Sequence, residues 1–374
     1  MTARLFWGWL ALNLLASATA VGQTAEQWKH LDVFRAGEEG YFAFRIPAIE
    51  VAADGSLVVF AEARKYNLND PGFGNQDIDL VCKRSTDRGA SWSSMKVIED
   101  PGEYWSAANP VLLLDRANGR LWVFYIRCRP GCNTNTARAG TDDILVLARC
   151  SDNHGQDWSE PIDLTPVVRD MSDATWRVTV PGPGGAICSR TGRLVVPAWK
   201  VDGWQNFAFF SDDHGKSWQR SEFVPGNRAG NENQLVELSD GRLLMDIRQT
   251  SGAHRWRSIS ADGGRKWSVP EPGHIVSPVC CAIERYPREA SGLDRDLILW
   301  TGPQGPGRQI LMLQLSEDDG RTFARQWILA PEPAAYSDLA VLPDGSVAVF
   351  WERGNYKFLT LTLVNRELFR GRGN

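Results

Sequence analysis

Ser85-Thr-Asp87-Arg-Gly89-Ala-Ser-Trp92 is a short polar octet that returns four more times along the chain. The copies are Ser151-Asp-Asn153-His-Gly155-Gln-Asp-Trp158, Ser211-Asp-Asp213-His-Gly215-Lys-Ser-Trp218, Ser260-Ala-Asp262-Gly-Gly264-Arg-Lys-Trp267 and Ser316-Glu-Asp318-Asp-Gly320-Arg-Thr-Phe323. Each reads as a hairpin turn. The Asp or Asn accepts backbone N–H bonds, the Gly takes positive φ, and the aromatic ring packs back beneath. Four aspartates and an asparagine at one equivalent position are a building element, not a set of catalytic acids.

A second signal lies upstream of each octet: a tight turn followed by an apolar strand. The turns are Asp54-Gly55, Asn118-Gly119, Thr191-Gly192, Asp240-Gly241, Asp294-Arg295 and Asp344-Gly345. There are thus six strand-opening turns but five octets, and the last turn has no room for another. Units of roughly 50–70 residues with several short strands each predict an all-β chain folded as a six-bladed β-propeller. The missing sixth octet predicts ring closure, with a strand around Phe44 to Val51 completing a blade begun near the C-terminus. Two stacked sandwiches are the competing architecture. The turns run without a linker break from residue 54 to 345, which favours one ring, and no long amphipathic helix is evident.

Aligned on the turn glycine, the strands place Glu62, Ile126, Trp199, Arg248 and Glu352 seven residues on, with Gly302 in the fifth unit when counted from Arg295. True repeats would gather these positions around one axis. A charge at the end of an apolar strand needs a partner or a ligand.

The 374 residues carry a net charge of -4, with 43% hydrophobic and 10% aromatic residues. Such a chain is not disordered, and it offers no bulk basic field for nucleic acid. Residues 1–20 read as a secretory signal: Arg4, an apolar run from Leu5 to Ala16, and Ala18-Thr19-Ala20 as an A-x-A cleavage pattern. That run is short for a bilayer span, so cleavage near Ala20 is expected, with one propeller domain over 21–374 in a secreted or periplasmic protein. Seven cysteines leave at least one unpaired, and Cys128 with Cys132 could close a small disulfide loop. The five histidines show no metal-ligand spacing, so neither metal nor cofactor is expected. Pro181-Gly-Pro-Gly-Gly185 lacks the Lys-Ser/Thr of a phosphate loop and is expected at the rim of a pocket. Trp105 and Trp176 are candidates for lining that pocket.

Phe44-Arg45-Ile46-Pro47 followed by five such octets resembles the secreted exo-α-sialidase (neuraminidase) family, over essentially the whole chain after the leader. The resemblance implies a triad of arginines at Arg45, Arg248 and Arg308 that pairs with the sugar carboxylate. It implies an acid/base at Asp70, in Asn67-Leu-Asn-Asp70 after Ala63-Arg64, with Arg64 beside it and also touching the sugar. Asp77 and Asp79 compete for that role but alternate with apolar residues, as structural acids do. It implies a nucleophilic tyrosine at Tyr336, activated by Glu232, with Glu352 orienting Arg45. A carboxylate nucleophile would be repelled by the substrate's own carboxylate, whereas a phenol deprotonated by Glu232 is not. Asn233 stands where Ser or Cys is commoner in the family. The implied activity is retaining hydrolysis of terminal sialic acid from glycoproteins, glycolipids or oligosaccharides, by a monomer without stable membrane insertion. A transfer variant (trans-sialidase or intramolecular) and a non-catalytic sialoglycan-binding propeller are the alternatives, and the latter would be expected to lose Asp70, Tyr336 or Glu232.

Overall fold

A computed structural model describes residues 28–370; the leader read at residues 1–20 lies outside them. The described chain is all-β, with only short helical segments such as Thr165–Val168 and Arg288–Ser291. Its strands form antiparallel meanders in chain order. Ala43–Val51, Leu57–Arg64, Ile78–Ser85 and Lys96–Glu99 pair in sequence, as do Ser106–Asp115, Arg120–Cys128, Ile144–Ser151 and Ile162–Asp163. The same pattern continues through Leu194–Lys200 with Gln205–Ser211, and through Gly230–Glu237, Leu243–Gln249, His254–Ser260 and Glu271–Ile275. The 17-residue strand Arg325–Val341 serves two meanders, pairing first with Gln309–Ser316 and then with Val347–Arg353.

The strand-opening turns form as read. Gly55, Gly119, Gly192, Gly241 and Gly345 all have φ between 75° and 86°, a region that costs a side chain but not glycine. The strands they open are deeply buried: every residue of Leu57–Arg64 and Leu194–Lys200 is inside. Full burial of such aliphatic and aromatic side chains contributes about 1.5–3 kcal/mol each.

The octets adopt one geometry. In the first, Gly89 N–H donates to Ser85 Oγ at 2.7 Å and Ser91 N–H to Asp87 Oδ1 at 2.8 Å. The serine–glycine bond repeats in all four other copies. These bonds hold Asp87 and Asp213 down to about 2, led by the hydroxyls of Ser91 and Ser217, so the aspartates are fixed as ionised turn acceptors. Leu57 pairs with Ser85, whereas Arg64 pairs with Ile78. The octet therefore leaves the end of the sheet opposite Glu62 and Arg64. Leu121 with Ser151, Leu194 with Ser211 and Leu243 with Ser260 repeat this placement.

Each octet also leans on the preceding repeat. A Cβ at Gly155 would touch Val58, one at Gly215 would strike Trp122, and ones at Gly264 and Gly320 would press on Val195 and Leu244. Gly89, in the first octet, meets Leu361 near the C-terminus, so the series of contacts closes on itself.

The closing strand corrects the sequence reading. Ala43–Val51 pairs with its own hairpin partner Leu57–Arg64, because the Ala52–Ser56 turn joins them locally. His30–Arg35 instead pairs with Phe358–Val364. The disulfide is corrected too: all seven cysteines are free thiols, with Cys128 buried at the end of its strand and Cys132 in the partly exposed loop that follows.

Candidate active site

The site gathers where the second strands end. Arg45 sits at a bulge between Arg45 and Ala48, where Ile46 takes φ 58°, a strained value for a β-branched residue. The bulge turns two donors onto one carboxylate. Arg45 Nε and Nη2 donate to Glu352 Oε1 and Oε2 at 2.9 and 3.1 Å, and Ile46 N–H donates to Oε1 at 3.1 Å. Tyr336 N–H adds a fourth bond, 3.2 Å to Oε2. Glu352 thus joins the strand of Arg45 to the strand of Tyr336.

Tyr336 is buried, and its Oη donates to Glu232 Oε1 at 2.5 Å. Arg248 Nη1 bridges the pair, donating to Glu232 Oε2 and, at 2.7 Å, to Tyr336 Oη. Burial, then the Glu232 charge, pushes the Tyr336 phenol well above its ordinary value, while Arg248 and Arg45 pull it back. At rest the residue is therefore a neutral phenol hydrogen-bonded to its own base.

The guanidinium carbons of Arg45, Arg248 and Arg308 stand 5.3, 6.0 and 5.3 Å from the Tyr336 ring centre. Three cations thus surround one phenol. Glu352 answers Arg45 and Glu232 answers Arg248; Arg308 has no ion pair among the described residues and donates only to Tyr356 Oη at 2.9 Å. One buried-side cation is left over. An anionic group entering between the three would give Arg308 the ion pair it lacks and meet guanidinium forks suited to a carboxylate.

Asp70 lies at the mouth, its side chain 69% exposed, with Oδ1 3.5 Å from Arg64 Nη2 and 3.9 Å from Arg45 Nη1. Arg64 is buried, and every nitrogen is directed to the protein. Nε and Nη2 donate to Glu62 Oε2 at 3.0 and 2.6 Å, and Nη1 donates to the carbonyls of Leu68 and Asn69. Arg64 therefore divides its donors between Glu62 and the loop that carries Asp70. Asp77 and Asp79 are buried, tied to Lys65, Tyr104 N–H and Tyr41, as structural acids should be.

Two expected pocket features lie elsewhere. Pro181 to Gly184 is buried rather than at the rim, because a Cβ at Gly184 would collide with Gln234 and Asp338. Trp176 is core, packed edge-on against Phe207, with its Nε1 donating to Thr179 Oγ1 at 2.8 Å. Trp105 stacks near Arg127 and Arg129.

The sequence placed Glu62 at the repeat position of Glu352 but not its partner, which is Arg64, and one participant has no signal in the sequence at all. That participant is Tyr356: its ring lies 4.4 Å from the Arg45 guanidinium and its hydroxyl holds Arg308. It sits in a turn at φ 67°, and no pattern in the sequence points to it. Among the described residues no cluster of His, Cys, Asp or Glu is arranged to hold a metal ion.

Residues 55–349 match the family described as BNR repeat-like domain. The chain is 28% identical over 345 residues to a sialidase of Micromonospora viridifaciens, covering 85% of this chain and 51% of that one. It is 27% identical over 350 residues to a sialidase of Bacteroides fragilis, covering 86% and 62%. It thus spans about half to three-fifths of the length of these relatives. Among solved structures, the Hadza microbial sialidase Hz136 superposes with a TM-score of 0.80 at 26% identity, over 90% of this chain and 68% of that one. An intramolecular trans-sialidase from Ruminococcus gnavus shares the fold at 18% identity, with a TM-score of 0.76 over 91% and 98% of the two chains. With well over half of its length matched, and with the octet turns and an arginine-ringed tyrosine, this chain belongs to the β-propeller sialidase family with BNR repeats.

Proposed function

We propose that the protein is a retaining exo-α-sialidase that removes terminal sialic acid from glycoproteins, glycolipids or oligosaccharides. The observation that carries the reading is the 2.5 Å contact between Tyr336 Oη and Glu232 Oε1 inside the ring of three arginines. The substrate carboxylate lies among Arg45, Arg248 and Arg308. Tyr336 Oη attacks the anomeric carbon as Glu232 takes its proton. The bond to the leaving oxygen breaks, and Asp70 supplies that oxygen with a proton. A water then attacks the sialyl-tyrosine from the face the aglycone left, giving its proton to Asp70, while Tyr336 regains its own from Glu232. Two displacements at one carbon leave its configuration unchanged.

The octet contacts and paired meanders support a six-bladed ring, and the apolar leader supports export. We take the mature protein to be a secreted or periplasmic single domain over 21–374, acting as a monomer.

The test is release of a fluorescent phenol from its sialyl glycoside, beside the matching glucoside and glucuronide. Release from the sialoside alone is expected. Release from the glucuronide would show that a generic anion site has been mistaken for a sialic acid site. No release from any of them would favour the binding-only alternative. Released free sialic acid, rather than an anhydro or transferred sugar, distinguishes hydrolysis from the transfer variants.

A further inference from the structure

The inner strands of neighbouring meanders carry the reacting groups, yet most share no backbone ladder with one another. Something other than sheet pairing must set the distance between Tyr336 and Glu232. Two residues beyond Tyr336 lies Asp338, and two beyond Glu232 lies Gln234, each just past the bulge that carries its reacting neighbour. Asp338 and Gln234 are each 1% exposed. Gln234 Nε2 donates to Asp338 Oδ1 at 3.1 Å and to the Pro183 carbonyl at 3.2 Å. Asp338 Oδ2 accepts Ile49 N–H at 2.8 Å, on the strand that carries Arg45. Gln234 Oε1 accepts Ile283 N–H at 3.1 Å, on the strand Ala282–Tyr286. This one pair therefore ties the strands of Tyr336, Glu232 and Arg45 to two further segments. Gly184 permits it, since any side chain there would displace both partners.

We propose that Asp338 and Gln234 are positioning residues that hold Tyr336 and Glu232 at reacting distance across the propeller axis. The inference rests on the reaction proposed above, because it assigns the pair a task in that reaction. The task depends on polarity as well as volume: Asp338 must accept on both oxygens, and Gln234 must donate to it while accepting from Ile283. In Asp338→Asn, one oxygen can still accept Ile49 N–H, so the Arg45 strand stays tied. The new amide then faces the Gln234 amide, donor against donor, and the cross-tie is lost. In Gln234→Glu, two carboxyls face each other. The double variant Asp338→Asn/Gln234→Glu reverses the pair. Asn donates, Glu accepts, and the bonds to Ile49 and Ile283 persist; only the Pro183 contact is given up.

The experiment measures kcat and KM of the full chain and the three variants with an aryl sialoside, after thermal melts establish folding. Each single variant is expected to lower kcat at least about tenfold with KM within about threefold, since the arginines keep their places. The double variant is expected to recover at least tenfold over the worse single. Wild-type kcat in both singles would overturn the inference, and so would losses that multiply in the double, because bulk burial alone gives no rescue. Should a single variant not fold, the folded double decides: kcat near wild type supports the tie, and a loss above tenfold overturns it. An inactive wild-type chain would sink the proposed function and this inference with it, whereas an active one with indifferent variants sinks only the inference.

Discussion

Glu62 and Glu352 occupy the same position in two repeats and do the same work. Each accepts an arginine of the site, Arg64 or Arg45, and each accepts a backbone N–H from the inner strand of the next repeat. The donors are Asn109 and Ile46, both at φ near 57–58° and both followed by proline. Proline has no N–H of its own, and the bulge turns the preceding amide inward, so the repeat itself builds a carboxylate socket twice. One socket holds Arg45 beside Tyr336, and the other holds Arg64, which binds the loop that carries Asp70.

Glu352→Gln should therefore cost more than its volume suggests. It leaves Arg45 buried beside an amide, and breaking a buried pair typically costs about 3–5 kcal/mol. Urea unfolding should show that loss together with a fall in kcat/KM. Glu62→Gln should destabilise by a comparable amount, with the activity loss traced to the Asp70 loop. A Glu352→Gln protein of wild-type stability and activity would refute the socket.

The arginines should separate by partner. Arg308 forms no ion pair among the described residues, so Arg308→Lys should change stability by less than about 0.5 kcal/mol. It should still weaken binding of a sialic-acid carboxylate by about 1–3 kcal/mol, because the planar fork is lost while the charge stays. Arg45→Lys should lose both, since Glu352 is left poorly matched. Titration of an unsaturated sialic-acid analogue beside thermal melts reads the two effects independently.

Stability should also depend on pH through Glu284 and Asp338. Burial first, and Glu50 second, pushes the Glu284 carboxyl from 4.5 up to about 8, and burial pushes Asp338 from 3.8 up to about 7. In both cases the folded state binds the proton more tightly than the unfolded one. The resulting stabilisation is full below about pH 4 and is lost as pH rises to about 8. Glu284→Gln removes its share. The melting temperature of the variant should match wild type near pH 4 and exceed it increasingly toward pH 8, by at least about 1 kcal/mol in stability. A gap that narrows with rising pH would contradict this.

What could be read from the sequence follows from locality. The octet and the strand-opening turn are short-range chemistry, so their geometry was legible, and counting seven residues from the turn glycine reached Glu62, Arg248 and Glu352. The partner of the last strand was not. His30–Arg35 pairs with residues more than 300 positions away, and its short pattern competes poorly with the stronger run at Phe44 to Val51. Gly184 is hard to place from sequence for a related reason. Gly-Pro-Gly reads as exposed loop, but here the missing Cβ makes room for Gln234 and Asp338 in the interior. Trp176 carried only a loop context, and nothing local reveals that Phe207 packs against it.

Tyr336 and Asp70 should be separable by substrate. Tyr336 is buried against Glu232, whereas Asp70 stands exposed at the mouth, where a leaving group would exit. Asp70→Ala removes proton donation to that group. A natural sialyl-lactose leaves as a poor alkoxide and needs the proton, so its kcat/KM should fall by about 10²–10⁴. An aryl sialoside leaves as a stabilised phenolate and should be spared most of that loss in the first step. Its second step still lacks the base that activates water, so the covalent sialyl-enzyme should accumulate and appear as a burst. Tyr336→Phe removes the attacking oxygen, so both substrates should suffer alike and no burst should form. A fluorinated sialic-acid analogue should label the wild-type peptide that holds Tyr336, and the first-formed free sugar should keep its anomeric configuration by NMR. A label on Asp70 or Glu232, or an inverted product, would reassign the nucleophile. Equal losses for both substrates in Asp70→Ala would move the acid elsewhere, with Asp77 the next carboxyl to test despite its burial against Lys65.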